Sequence, residues 1–134
     1  MKTRMILLIL MVLFTSCDLI IIEPVYDVRD SITGNYQIEE FSQTYNDYVR
    51  YHIYIRKSGV YDEIIIANFY NAGLNVRAGV MYDKIYISKQ ILNGYEIEGV
   101  GTIYDGEIQF SYRVRDIYAY TRPTDFCNAT AWFK

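Results

Sequence analysis

The sequence predicts an all-β domain, an antiparallel up-and-down barrel of about eight strands. Three observations predict it. From Gly34 onward, apolar and polar residues alternate in nearly every segment, which is the period of a half-buried strand. No segment there repeats apolar residues at helical spacing over the length of a helix. Turn signals recur at short intervals, and the clearest is Asp105-Gly106, a dipeptide that favours a type I′ hairpin turn.

The chain begins with Lys2 and Arg4 followed by ten apolar residues, Met5 to Phe14. A cationic start, a short apolar run and small residues before a cut are the parts of a secretory signal peptide. The tetrapeptide FTSC, ending at Cys17, resembles the bacterial lipobox, in which the cysteine is lipidated and becomes the first mature residue. The alternative is an uncleaved anchor helix extending to Ile22, which would place Asp18 in the bilayer at a cost of about 2.5–3.5 kcal/mol.

The chain therefore divides into three parts: a signal peptide (1–16), a lipidated N-terminus and tether (17–33), and the barrel domain (34–134). The tether contains a proline and several charges but no sustained periodicity. In the domain, alternating runs between turn signals predict strands near residues 35–42, 47–57, 62–69, 74–81, 84–89, 95–104, 107–115 and 126–133. Such strands bury their apolar faces by closing into a barrel, and a two-sheet β-sandwich is the alternative.

Closure would place one continuous set of side chains inside the barrel. That inner set is Tyr36, Ile38, Val49, Tyr51, Ile53, Leu74, Val76, Val80, Ile85, Ile87, Ile97, Ile108, Phe110, Tyr112 and Val114. Small residues in the same phase could leave room along one wall, so the candidate ligand pocket is Tyr51, Ala78, Tyr95, Gly99, Gly101, Phe110, Tyr112, Cys127 and Ala129. Because protein interiors are densely packed, we expect a largely filled barrel with at most a small pocket near its mouth.

The fifteen tyrosines are unusual for a chain of 134 residues. Exposed tyrosine and arginine are typical of binding surfaces, and a candidate partner site on the outer face is Tyr48, Arg50, Tyr54, Arg56 and Tyr86. The alternative is ordinary cross-strand pairing of aromatic side chains, which stabilises a sheet without any partner.

The sequence offers little for catalysis, metals or nucleic acid. His52 is the single histidine, falls on the predicted outer face, and cannot form a histidine metal cluster. Glu96 and Glu98 share a strand face and could act as paired carboxylates or simply be solvated. With 16 acidic and 13 basic residues and no basic block, nucleic-acid binding is not expected. We therefore expect no enzyme activity, no metal and no cofactor.

Four segments carry a family resemblance: GNYQIEE from Gly34, IIIANFYNAG from Ile64, YEIEGVGTIYDGEIQFSYRV from Tyr95, and the ending CNATAWFK. With them the chain resembles the small lipocalin-like, calycin-type lipoproteins of Bacteroidetes. The resemblance implies that Tyr36 stands where lipocalins place the tryptophan of Gly-x-Trp, which plugs the closed barrel end. It also implies a cysteine in the first strand, but residues 39–43 contain none, so we expect Cys127 to be unpaired.

These observations favour a non-enzymatic, lipid-anchored binding module of the cell envelope. Its partners would be the membrane, through acyl chains on Cys17, and either a small apolar ligand inside the barrel or an envelope protein on its outside. The expected location is the outer membrane of a Gram-negative bacterium. The alternative is an envelope inhibitor or structural component with a filled barrel.

Overall fold

A computed structural model describes residues 20–134, so the predicted signal peptide and Cys17 lie outside the described residues. A short 3₁₀ helix precedes eight strands. The bounds are Val28–Ser31 for the 3₁₀ helix, then β1 (Gly34–Ser42), β2 (Asp47–Lys57), β3 (Glu63–Phe69), β4 (Leu74–Met81), β5 (Lys84–Leu92), β6 (Tyr95–Tyr104), β7 (Glu107–Asp116) and β8 (Asp125–Phe133).

Every predicted strand is present, and the largest difference is at the end of β5. This strand continues to Leu92, whereas the alternation predicted an end at Lys89. A bulge between Ile87 and Gln90 shifts the register against β6, and pairing then resumes to Leu92. Because a bulge inserts a residue without a partner, the period-two pattern stops there although the strand does not.

The strands form one closed barrel. Each pairs antiparallel with the next along the chain, and β1 also pairs with β8, from Tyr36 opposite Phe133 to Ser42 opposite Cys127. The predicted up-and-down barrel is confirmed, and the β-sandwich alternative is excluded, because a sandwich has two separate sheets whereas here strand pairing runs unbroken around all eight strands.

The alternating strand directions divide the connections between two ends of the barrel. The connections β1–β2, β3–β4, β5–β6 and β7–β8 share one end, which we call the open end. The other connections and the N-terminal segment share the opposite end, which we call the closed end because the 3₁₀ helix covers it. Among residues 20–134 there is no helix long and apolar enough to cross a membrane.

The N-terminal segment joins the barrel earlier than the predicted boundary at Gly34. Ile32 is only 2% exposed and belongs to the core. The Arg29 guanidinium donates hydrogen bonds to the carbonyl oxygens of Val60 (2.9 Å) and Glu63 (3.2 Å). The Tyr36 hydroxyl, buried at this end, donates to the Ile32 carbonyl at 3.0 Å. Residues 28–33 are therefore part of the folded domain, and their long-range contacts leave no trace in local periodicity.

Side chains fill the barrel. All the predicted inner residues are buried except Val49, the third residue of β2, which lies near the open end and is 36% exposed. The inner set also includes five buried apolar strand residues that the prediction omitted: Ile55, Ile64, Ile66, Phe69 and Ala131. The Phe69 ring centroid lies 4.6 Å from that of Tyr112 and 6.1 Å from that of Phe110.

The glycines of β6 do not open a pocket in this interior. A Cβ added at Gly99 would collide with the Cβ of Tyr112 and lie 2.6 Å from the Ser111 carbonyl oxygen. A Cβ at Gly101 would lie 3.0 Å from the Phe110 ring. These two glycines therefore leave no space along the wall, because backbone and side-chain atoms of β7 occupy it, in line with the expectation of a largely filled barrel.

Gly99→Ala should lower the free energy of unfolding by about 1–3 kcal/mol, the usual cost of overpacking. The matched control is Gly79→Ala on β4, where an added Cβ meets nothing within 4 Å. The control should leave stability unchanged or raise it slightly, since alanine narrows the unfolded ensemble. Urea denaturation measures both, and equal stabilities for the two variants would contradict the close packing at Gly99.

Candidate functional site

Two neighbouring strands, β1 and β8, each place a carboxyl group inside the barrel near its open end. In β1 the inward phase runs from Tyr36 to Glu40 and Ser42, and β8 begins with Asp125 on its inner side. Glu40 and Asp125 are each only 4% exposed. Because burying a charge is costly unless partners satisfy it, the partners of these two groups define the site.

Glu40 lies between Tyr51 on the neighbouring strand β2 and Tyr112 on β7, which is separated from β1 by β8. Its Oε2 accepts hydrogen bonds from the Tyr51 hydroxyl, at 2.5 Å, and from the Tyr112 hydroxyl. Burial raises the pKa of Glu40, although both hydroxyls favour its charged form. Burial and the nearby Glu40 charge also raise the pKa values of Tyr51 and Tyr112. Both phenols therefore stay protonated and act as donors, and Glu40 can take up a proton more readily than an exposed glutamate.

Asp125 connects two walls of the barrel. It accepts hydrogen bonds from the Ser42 hydroxyl at 2.5 Å and from the Tyr70 hydroxyl at 2.7 Å. Tyr70 lies in the β3–β4 connection with a φ of 58°, a left-handed conformation that is unusual for a bulky residue. Its ring contacts those of Tyr95 and Tyr112, with centroids 6.0 Å and 6.4 Å away. The strained backbone thus places an aromatic side chain across the open end.

Cys127 lies beside this cluster as a buried thiol. Burial and the charges of Glu40 and Asp125 raise its pKa, so the unreactive thiol form predominates. Its register partner in β1 is Ser42, at the place where the family resemblance implies a cysteine. Cys127 is the one cysteine among residues 20–134, and its thiol is free there.

A cleft of about 280 Å³ opens above the two carboxyl groups. Acidic and tyrosine side chains dominate its lining: Glu40, Ser42, Tyr45, Asp47, Tyr48, Val49, Tyr70, Asn71 and Asp125. None of these lining residues is basic. Carboxylate oxygens accept hydrogen bonds and tyrosine faces attract cations, so the cleft suits a small group that donates hydrogen bonds or carries positive charge.

The residues predicted to form the ligand pocket do not lie together in the structure. Tyr51, Tyr112 and Cys127 belong to the carboxyl cluster, and Tyr95 contacts it through Tyr70. The remaining candidates hold no cleft: Ala78, Gly101, Phe110 and Ala129 are buried in the filled interior, and Gly99 is half-buried against β7. Sequence reasoning missed Glu40, Ser42, Tyr70 and Asp125, although the first two fall on the same inward phase of β1 as Tyr36 and Ile38.

The residues predicted to form the outer-face partner site do not all lie together either. Tyr48, Arg50, Tyr54 and Arg56 follow one another on the outer side of β2, but Tyr86 lies on β5, three strands around the barrel. That distance follows from strand order, which local alternation does not reveal. Arg50 forms an ion pair with Glu39 at 2.6 Å, and the Tyr48 ring packs on Phe41 with centroids 4.6 Å apart.

A shallow groove of about 500 Å³ extends from this edge over the outer side of β1, β8, β7 and β6. Its surface is mixed, with an aromatic edge at Phe41 and Tyr48 and polar side chains at Gln109, Ser111 and Asn128. The groove lies on the outer face of the barrel wall and meets the open-end cleft at Tyr48, which lines both.

The other candidate groups have ordinary surface partners. His52 is exposed, and its Nε2 lies 3.2 Å from the Lys134 ammonium. Glu96 pairs with Arg115 at 3.0 Å and Glu98 with Arg113 at 2.7 Å, and both arginines lower the pKa of their glutamates. In the described part of the chain, no group of three histidine, cysteine, aspartate or glutamate residues is arranged to hold a metal ion.

No protein-family model matches this chain, and no curated protein matches it significantly.

Glu40→Gln should change how stability depends on pH. Because burial raises the folded-state pKa of Glu40 above its ordinary 4.5, the folded state holds this proton more tightly than the unfolded state. The contribution of Glu40 to stability therefore falls as pH rises from 4.5 through the raised value. Each tenfold difference in proton affinity corresponds to about 1.4 kcal/mol.

Glutamine can still accept hydrogen bonds from both tyrosines but does not ionise. We expect the stability of the wild type relative to Glu40→Gln to decline with rising pH, as measured by urea unfolding at a series of pH values. Glu39→Gln, on the exposed side of the same strand, is the control and should show no such decline. Parallel pH profiles for wild type and Glu40→Gln would contradict the raised pKa.

Proposed function

We propose that this protein is a non-enzymatic, lipid-anchored binding module of the cell envelope, which binds a small ligand at the open end of its barrel. The observation that carries the proposal is the cleft above Glu40 and Asp125, two buried carboxyl groups held by tyrosine hydroxyls. The cleft lies at the mouth of a filled barrel, where a small pocket was expected, but its lining is acidic and aromatic and therefore differs from the expected site for a small apolar ligand.

The chemistry of the cleft favours a ligand with a cationic or hydrogen-bond-donating head. Glu40 and Asp125 supply acceptors, and the ring of Tyr70 supplies an aromatic wall. Such a head would favour the ionised form of Glu40 and offset part of the cost of its burial. The apolar remainder of the ligand would lie against Tyr45, Tyr48 or Val49 at the rim of the cleft.

Three features support binding rather than catalysis. The hydroxyls of Tyr51 and Tyr112 already occupy Oε2 of Glu40. The high pKa of Cys127 disfavours the thiolate that a nucleophile requires. His52 lies on the outer face, where it pairs with no carboxylate in the described part of the chain.

The proposal of a lipid anchor rests on the sequence before residue 20, which lies outside the described residues. Lys2, Arg4, the apolar run and the FTSC tetrapeptide support cleavage before Cys17 and lipidation of its thiol. Two or more acyl chains give stable attachment to a membrane. Together with the family resemblance, these features support the outer membrane of a Gram-negative bacterium as the location.

The outer groove favours a second candidate function, an envelope inhibitor or structural component that binds another protein. The Phe41 and Tyr48 rings and the neighbouring polar side chains form a surface with both apolar contact and hydrogen-bonding groups, as protein interfaces do. This function needs no ligand cleft, so it would be insensitive to the carboxyl cluster.

Cys17→Ser should abolish labelling by a fatty-acid analogue and leave an unprocessed precursor, because both steps require the cysteine thiol. Metabolic labelling and the apparent mass of the protein measure the two effects. Cys127→Ser is the matched control and should be labelled and processed like the wild type. Labelling that persists in Cys17→Ser would refute the lipoprotein assignment.

Native mass spectrometry after mild detergent extraction should detect a small molecule retained by the wild-type protein. Asp125→Asn and Glu40→Gln should each reduce retention at least tenfold, because each removes a charged acceptor from the cleft. Glu39→Gln should retain the molecule like the wild type. If the extract instead contains a co-purifying protein that Phe41→Ser, in the outer groove and outside the cleft, releases and Asp125→Asn does not, the second function is correct.

A further inference from the structure

The closed end exposes a cluster of apolar and aromatic side chains. They come from the N-terminal segment, the β2–β3 connection and the β4–β5 connection, which strand direction brings together at this end. The cluster, which we call the closed-end patch, consists of Val25, Tyr26, Val60, Tyr61, Met81 and Tyr82, each between 57% and 84% exposed. Tyr26, Tyr61, Met81 and Tyr82 border one cleft of about 560 Å³.

Tyr82, one residue of the closed-end patch, has a strained backbone conformation although its side chain is largely exposed. It occupies the β4–β5 turn with a φ of 55°, where glycine or asparagine is the usual residue. A bulky residue in this conformation is strained, and Tyr82 remains 84% exposed. Little burial against the rest of the chain therefore offsets the strain.

The chain leads from this end toward the proposed lipid anchor. Arg29 fixes the start of the folded domain by pairing with Asp27 at 2.8 Å. Cys17 precedes Asp27 by ten residues, which span at most about 35 Å when fully extended. Between them, Ile20, Ile21 and Ile22 are all highly exposed. A lipid on Cys17 would therefore hold the closed end within about 35 Å of the membrane surface.

We propose that the closed-end patch rests on the surface of the bilayer that holds the anchor. This inference depends on lipidation of Cys17, which is part of the proposed function. Tyrosine rings favour the interface between headgroups and acyl chains, since they are apolar with one polar tip. Tyr26, Tyr61 and Tyr82 would lie at that level, and the open-end cleft would face the aqueous compartment.

The charges beside the patch specify the type of lipid surface. Asp62 borders the same cleft as Tyr61, and Asp83 follows Tyr82 directly in the turn. Anionic headgroups repel carboxylates near a membrane surface. The patch therefore fits a zwitterionic surface better than an anionic one.

Fluorophore labels at the two ends test the orientation in the full, lipidated protein. Single cysteines are introduced by Tyr61→Cys or Tyr82→Cys at the closed end and by Ile91→Cys or Tyr120→Cys at the open end. Cys127 is buried and should not react while the protein is folded. The protein is reconstituted in phosphatidylcholine vesicles that contain nitroxide-labelled lipid, which quenches nearby fluorophores.

We expect strong quenching of the labels at Tyr61 and Tyr82 and little quenching at Ile91 and Tyr120. Replacing part of the phosphatidylcholine by phosphatidylglycerol should reduce the quenching at the closed end. Equal quenching at both ends would overturn the proposal. Flotation with vesicles separates this failure from failure of the anchor, because a protein without lipid on Cys17 does not float at all.

Tyr82→Gly provides a second measurement that does not place a label in the β4–β5 turn. Glycine relieves the left-handed strain, so the melting temperature should rise, whereas quenching of a label at Tyr61→Cys should fall at least twofold. Unchanged quenching in the stabilised variant would count against membrane contact by the patch.

Discussion

The pairing of β1 with β8 is the contact on which the rest of the structure depends. It closes the sheet, removes both free edges and encloses the apolar faces of all eight strands. Small residues on the inner side of β8, Ala129 and Ala131, lie opposite Glu40 and Ile38. This leaves room for the large β7 side chains, Phe110 among them, that fill the barrel.

The same pairing creates the candidate site. It brings Ser42 of β1 within hydrogen-bond distance of Asp125 of β8 and places Glu40 next to the thiol of Cys127. The apolar interior below the cluster cannot stabilise it, because each buried carboxyl group needs hydrogen-bond donors that an aliphatic core does not supply. Tyr51, Tyr112 and Tyr70 supply them. Such concentrations of buried polar groups at the rim of a cleft are characteristic of binding sites.

The two ends of the barrel differ in chemistry. At the open end, acidic and aromatic side chains surround a cleft above buried polar groups. At the closed end, the 3₁₀ helix covers the core through Ile32 and Arg29, and exposed tyrosines surround it. In the function and orientation that we propose, one end recognises a ligand in water while the other contacts lipid. The barrel wall between them acts as a rigid spacer.

The alternation of apolar and polar residues, together with the turn residues, was enough to predict where each strand lies. Both features depend only on residues that are neighbours along the chain. They sufficed for the eight strands and for many of the inner residues, while several inner residues of β1, β2, β3 and β8 were missed. Only the tertiary structure decided three other matters. Strand order separated Tyr86 from the tyrosines of β2, long-range contacts placed Arg29 and Ile32 in the domain, and barrel closure brought Glu40 and Asp125 together. Each depends on contacts between residues far apart in sequence, and no local period encodes which distant side chain fills a space or donates to a buried carboxyl group.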